Sequence, residues 1–583
     1  MMMFKAERRW MLAAVILLVA FYAPSAAQQL GRGSYTPSAE QSINAVVAEH
    51  GMVVAQEKTA AAIGAEVLRR GGNAVDAAVA TGFAMAVSYP RAGNIGGGGF
   101  MLIHSADRHE DVAIDYRETA PAATTAGIFL GPDGKPDTAK SRDSALGIGV
   151  PGTVAGLTLA LEKYGSGKFG LPDLLQPAID LARNGIEVTH DTADTLPGWH
   201  RRLARWPASA RIFSRADGTS MREGDRLVQS DLAATLSAIA EQGPRGFYEG
   251  AVAEKLVKAI GEAGGLMTPD DLKSYRAVIR APVHGSYRGY DVLSMPQPSS
   301  GGVVLLETLN ILEGFPMREM QQGSAPSLHL MIEAMKRGYA DRARYLGDPD
   351  FVSAPVATLI SKDYAAQQRA SIDLDRATPW TDALSATPPR EGSNTTHFSV
   401  ADSQGNAVSN TYTLNFSYGV GLVAEGTGVL LNNELDDFTA APGASNAYGL
   451  VGFEANLPGP GKRPLSSMSP TIVLKDNKPV LVTGSPGGSR IISTVLQVIV
   501  NVLDFRMNLA EAVAAPRVHH QWRPDALLVE TGLSPDTLHL LRERGHKVVV
   551  GSTSGSANSI LIGPEGRLGA ADPRQRGTLA AGY

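Results

Sequence analysis

The chain has 583 residues, 44% hydrophobic and 19% charged, with a formal net charge of −5. That balance excludes a disordered or fibrous chain and allows two or more domain-sized units. The slight acidity, with no Lys/Arg-rich run, gives no footing for nucleic acid, and the absence of cysteine rules out disulfides, thiolate nucleophiles and Cys-ligated zinc or iron–sulfur sites.

At the start, Lys5, Arg8 and Arg9 precede the apolar run WMLAAVILLVAFYA, and Ser25-Ala26-Ala27 makes a small-x-small site before Gln28. This layout predicts a secretory signal peptide over 1–27 and export to a periplasm or the cell exterior. The run is shorter than the roughly 20 residues that span a bilayer. No second long apolar run follows, so no membrane segment is expected after signal removal. Beyond a polar stretch to about Ala45, VVAQEKTAAAIGAEVLRRGGNAVDAAVATGFAMAVSYP predicts two helices from Val53 on, broken at Gly71-Gly72 and stopped at Pro90. RAGNIGGGGFMLIHS turns on four glycines into a strand, and DVAIDYRETAP predicts a second strand ending at Arg117. Residues 150–390 read as mostly helical. The segment 377–394, ATPWTDALSATPPREGSN, has no apolar period and reads as an exposed, flexible linker. After Thr395 the texture changes to short strands (HFSVAD, AVSNTYTLN, PTIVLKD, PVLVTGS), then a helix, IISTVLQVIVNVLDF. A mixed α/β first part is thus joined by a linker to a strand-rich second part.

Thr395, Thr396 and His397 follow the linker directly. They could be a polar turn entering a strand. Alternatively, the chain could be cut at Asn394–Thr395. A threonine hydroxyl is a poor nucleophile without a base beside it. Cutting that bond would free an α-amine with a pKa of about 7.7–8.0, where a general base works best. Nucleophile and base would then share one residue, an established variant of the serine triad. His397 shares a strand face with Thr395 and reads as a packed side chain rather than the base. There is no G-x-S-x-G elbow and no H-E-x-x-H zinc motif, so neither a serine hydrolase nor a metalloenzyme is expected.

NTTHFSVAD, TYTLN, LLNNELDDF, RPLSSMSPTIV and SPGGSRI occur in this order, preceded by GGNAVDAAVA, GNIGGGGFMLI and DYRETAP and followed by GAADPR. Together they resemble the γ-glutamyltranspeptidase family over nearly the whole mature chain. The resemblance implies an α+β fold, the four-layer αββα sandwich of N-terminal-nucleophile hydrolases. A precursor would cut itself into a large subunit, 28–394, and a small subunit, 395–583, which stay together as a heterodimer. Thr395 would be the nucleophile, with Thr413 placing a second hydroxyl near its amine. Asn415, Glu434 and Asp437 would hold the α-ammonium of a γ-glutamyl group; the family carries Gln or Glu at position 434. Arg117, Ser466 and Ser467 would hold the α-carboxylate, and Gly487 and Gly488 the oxyanion. Tyr448 would tip a lid formed by 441–464. Expected partners are glutathione and other γ-glutamyl compounds as donors, water or amino acid or dipeptide acceptors, and no metal or cofactor. The rival readings are a glutaryl or cephalosporin acylase, a poly-γ-glutamate transpeptidase, and a non-enzymatic binding protein on the same scaffold.

Overall fold

Fourteen strands make up two seven-stranded sheets in the computed structural model, which describes residues 44–379, 394–551 and 555–583. The predicted signal peptide and most of the linker lie outside the described residues. In chain order the strands are β1 (Val46–Ala48), β2 (Met52–Ala55), β3 (Gly98–Ser105), β4 (Glu110–Tyr116), β5 (Val278–Arg280), β6 (Val283–Tyr287), β7 (Tyr290–Ser294), β8 (Thr395–Ala401), β9 (Ala407–Thr413), β10 (Thr471–Lys475), β11 (Lys478–Thr483), β12 (Ser559–Gly563), β13 (Gly566–Ala570) and β14 (Leu579–Gly582). One sheet runs β1-β13-β12-β11-β10-β7-β6, the other β14-β2-β8-β9-β3-β4-β5.

Period-two patterning sets the layers. In β3, Phe100 and Leu102 point at the other sheet, while Met101 and Ile103 point at helices. In β10, Ile472 and Leu474 face the first pair and Val473 faces out. Three apolar cores result: one between the sheets and one under each helical layer. Each buried Leu or Phe contributes about 1.5–3 kcal/mol. Helices α1 (Lys58–Arg69), α2 (Ala74–Ser88) and α3 (Thr153–Tyr164) cover one sheet. Helices α4 (Gly301–Glu313), α5 (Ala325–Tyr345) and α6 (Ile491–Leu503) cover the other. This is the four-layer αββα arrangement expected from the resemblance.

The Gly71-Gly72 break falls as read, and Asn73 opens α2 with a capping box to Asp76. Every residue of α2 is buried, so its sequence carries no amphipathic period. Two expectations need correction. Val53 opens no helix: Met52–Ala55 is a strand, and α1 starts at Lys58 after the Glu57 cap. The middle of the chain is mostly helical, as read, and adds β5, β6 and β7 to the two sheets. At its near end the linker is tied down: Ala377 N–H donates to Arg544 O at 2.7 Å, and Thr378 Oγ1 to Glu333 at 2.6 Å. No helix among the described residues is long and apolar enough to cross a membrane.

Candidate active site

Strands β8 and β9 pair antiparallel with Thr395 opposite Thr413. Both lie in the middle of their sheet, and both are buried. Thr395 Oγ1 donates to Thr413 Oγ1 at 3.3 Å, and Thr413 Oγ1 donates to the carbonyl of Asn394 at 3.2 Å. Asn394 Oδ1 accepts from the Ser417 hydroxyl at 3.0 Å. The expected nucleophile, the expected second hydroxyl and the carbonyl of the expected cut thus form one chain. His397 shares the face of Thr395 but bonds Thr411 and Ser399, at 2.9 and 3.0 Å. Burial pushes its pKa down to about 3. It is a packed neutral imidazole, as read from sequence.

Arg117 leaves the end of β4 and is wholly buried. Its guanidinium pairs with Glu434 and, at 2.6 Å, with Asp437, while Nε donates to Pro464 O at 3.1 Å. Glu434 and Asp437 come from one short 3₁₀ turn, so both carboxyls reach the same arginine. Burial pushes the Glu434 carboxyl well above the ordinary carboxylate range, against the pull of Arg117. It raises Asp437 likewise. Burial works against Arg117 as well, but Glu434 and Asp437 hold it charged. Sequence reasoning missed a third carboxyl here. Glu118 is fully buried, neither oxygen has a hydrogen-bond partner, and burial raises it to about 8. Its place in DYRETAP, beside the arginine, was the available signal. Glu434 and Asp437 line a cavity with Arg117, whereas Glu118, protonated at neutral pH, adds no charge to it.

Ser467 Oγ is buried without a partner, whereas Ser466 Oγ accepts from Met468 N at 3.1 Å. Gly487 and Gly488 have φ of 132° and 55°, conformations that favour glycine. A Cβ on Gly488 would sit 2.5 Å from the Tyr448 ring. The Tyr448 hydroxyl lies 2.8 Å from both the carbonyl and the Oδ1 of Asn415. Asn415 itself has φ 71°, and its Nδ2 donates to Asn433 O. Arg117, Thr395, Thr413, Asn415, Glu434, Asp437, Tyr448, Ser466, Ser467 and Gly488 line one cavity. Of the expected site residues around it, Gly487 stands just outside that lining, and Asn394 reaches it through Thr413. The cavity holds ≈ 20 Å³, room for about one water.

Among the described residues, His329, Glu333 and His546 bring ligand atoms within 4.8 Å of one another. Glu333 is already occupied by Lys336, Arg337 and Thr378, which makes this cluster a structural tie.

The gamma-glutamyltranspeptidase family model matches residues 60–582. A glutathione hydrolase proenzyme of Escherichia coli K12 is 51% identical over 546 residues, 93% of this chain and 94% of that one. The crystal structure of Helicobacter pylori gamma-glutamyltranspeptidase is 46% identical with a TM-score of 0.54, covering 55% of this chain and 91% of its own. A cephalosporin acylase from Bacillus halodurans superposes with a TM-score of 0.82 at 28% identity, covering 94% and 98%.

Proposed function

The chain belongs to the γ-glutamyltranspeptidase family, and from that premise we propose that Thr395 is its nucleophile, first toward its own backbone and then toward γ-glutamyl amides. The observation that carries the reading is the chain Thr395 Oγ1–Thr413 Oγ1–Asn394 O. In maturation the Thr395 hydroxyl oxygen attacks the Asn394 carbonyl carbon. Thr413, by donating to that carbonyl oxygen, stabilises the developing charge. The Asn394–Thr395 C–N bond breaks as the amide nitrogen takes a proton, leaving an ester on Oγ1. Water hydrolyses the ester to an Asn394 carboxylate and a Thr395 with a free amine. The products are a large subunit, 28–394 once the signal is removed, and a small subunit, 395–583. The printed name of the E. coli relative, a proenzyme, supports this reading.

In turnover the new amine takes the proton of Oγ1 as it attacks the γ-carbonyl of glutathione or another γ-glutamyl donor. The amine part of the donor leaves with a proton. The γ-glutamyl ester then passes to water, or to an amino acid or dipeptide. Gly487 and Gly488 face the oxyanion with their amides. Glu434, Asp437 and Asn415 take the ammonium, and Arg117 with Ser466 and Ser467 takes the carboxylate. Tyr448 must swing off the cavity to admit the donor. The layout of residues 1–27 supports export.

The superposition with a cephalosporin acylase favours a second reading, hydrolysis of glutaryl amides. Asp437, which lines the cavity beside Glu434, has no use for a donor without an ammonium, so γ-glutamyl donors are preferred. Intact-mass analysis beside Thr395→Ala tests the first step: a fragment beginning Thr-Thr-His-Phe should appear only in the unmutated chain. A two-piece Thr395→Ala protein would rule out Thr395 as the cutting residue. Rates on γ-glutamyl and glutaryl anilides then separate the two donors.

A further inference from the structure

Behind the serine pair lies a polar chain that the mechanism above does not use. Arg342, in α5, is 4% exposed, and its Nε donates to Ser300 Oγ at 3.0 Å. Ser300, at the start of α4, turns both of its donors on one acceptor. Its hydroxyl reaches the Ser466 carbonyl at 2.6 Å and its amide reaches it at 2.9 Å. The Ser466 amide donates in turn to Pro298 O at 2.9 Å, and Ser299 Oγ donates to Met468 O at 2.6 Å. The loop 298–300 therefore fixes the backbone of residues 466–468, and Arg342 holds the hydroxyl at its end.

Charge points the same way. Burial lowers Arg342 to about 10, Asp437 pulls it up and Arg117 pushes it down, so the guanidinium stays charged at neutral pH within reach of the clamp's field. Asp437 and Glu434 pair directly with Arg117 rather than with Arg342. A buried cation without an ion pair of its own is costly, and it favours an anion placed beside it. The Ser467 hydroxyl, buried and without a partner, marks where an anion would sit.

We propose that Arg342 is a positioning residue for donor recognition: through Ser300 it aims Ser466 and Ser467, and its charge favours a carboxylate between those serines and Arg117. This rests on the γ-glutamyl reading. It adds that the carboxylate end of the pocket is built from two arginines, one touching the ligand and one acting through a serine.

The test compares donors with and without that carboxylate: γ-glutamyl-4-nitroanilide and 4-aminobutyryl-4-nitroanilide. Arg342→Gln should raise KM for the γ-glutamyl donor about tenfold, the scale of one lost charge-assisted interaction, with kcat within about twofold. The 4-aminobutyryl donor should be unaffected. Ser300→Ala, which keeps the amide contact, should shift KM the same way by less, and serves if the arginine variant fails to fold. Arg342→Lys should recover part of the loss. Equal losses on both donors would mean a merely structural role, and no change on either would mean no role; both overturn the proposal. If the wild-type enzyme instead prefers glutaryl donors, the γ-glutamyl reading fails by itself. The glutaryl and butyryl anilides then make the same comparison for Arg342.

Discussion

Thr413 bridges the two hydroxyl-dependent events, because it accepts from Thr395 and donates to the Asn394 carbonyl. Thr413→Val keeps the shape and removes both bonds, along with the one its hydroxyl accepts from Asn415 N at 2.9 Å. Self-cleavage should slow about 10²-fold, the usual cost of one lost oxyanion donor. A time course of intact mass after synthesis would check this, and wild-type kinetics would sink it. Glu118 raises a different matter. The folded chain keeps a proton on this carboxyl up to about pH 8, whereas the unfolded chain releases it near its ordinary value of 4.5. Its contribution to stability is full below 4.5 and is lost as pH climbs through about 8. Glu118→Gln stays neutral throughout, so its melting temperature should fall less than wild type between pH 5 and pH 9. Parallel melting profiles would show that Glu118 is ionised in the fold. Thr395, Arg117 and the serine pair are singled out through the ordered motifs that resemble the family, not from any one motif alone. Glu118 sits in the same motif as Arg117, but its burial shows only once β4, the glycine loop and the 3₁₀ turn close over it.

At the scale of elements, the Tyr448 loop and the glycine turn before α6 fit each other. Gly488 combines φ 55° with a Tyr448 ring that would lie 2.5 Å from any Cβ. Gly488→Ala should therefore cost local strain of about 1 kcal/mol and displace Tyr448 as well. Activity should fall by about 10²-fold, in line with a misplaced oxyanion donor, while melting temperature moves by only a few degrees. An active alanine variant would separate the turn from the chemistry. The same scale shows what sequence conveys and what it withholds. Helices α1 and α2 were legible because Gly71-Gly72 and Pro90 punctuate them. Strand β2 was not, since Val53-Val54-Ala55 runs into Gln56 and Glu57 with no turn residue between. Strands β5 to β7 were hidden by their helical neighbours and by polar residues such as His284 and Ser286 on their exposed face. Tertiary pairing to β4 and β10 decided them.

For the whole molecule, the proposed cut divides sheets rather than domains. Strands β1 to β7 precede Asn394 and β8 to β14 follow it, yet both sheets draw on both pieces. In one sheet β14–β2, β2–β8 and β9–β3 cross between pieces. In the other, β1–β13 and β10–β7 do. The inter-sheet core mixes them too, Phe100 and Leu102 meeting Ile472 and Val482. Farther out, Arg544 and His546 of the second piece hold Ala377 and His329 of the first. Separating the pieces would therefore mean breaking five backbone ladders and opening three cores, a change comparable to unfolding. Ion pairs that salt could screen are a minor part of that contact. The cut protein should run as one particle carrying both masses on native size exclusion, unchanged on dilution to nanomolar and in 1 M salt, and should come apart only in denaturant. Because neither piece can complete a sheet alone, pieces separated in denaturant should aggregate on its removal rather than recover activity. Dissociation on dilution alone would mean that the cut lies elsewhere, at a point where the chain does divide into independent halves.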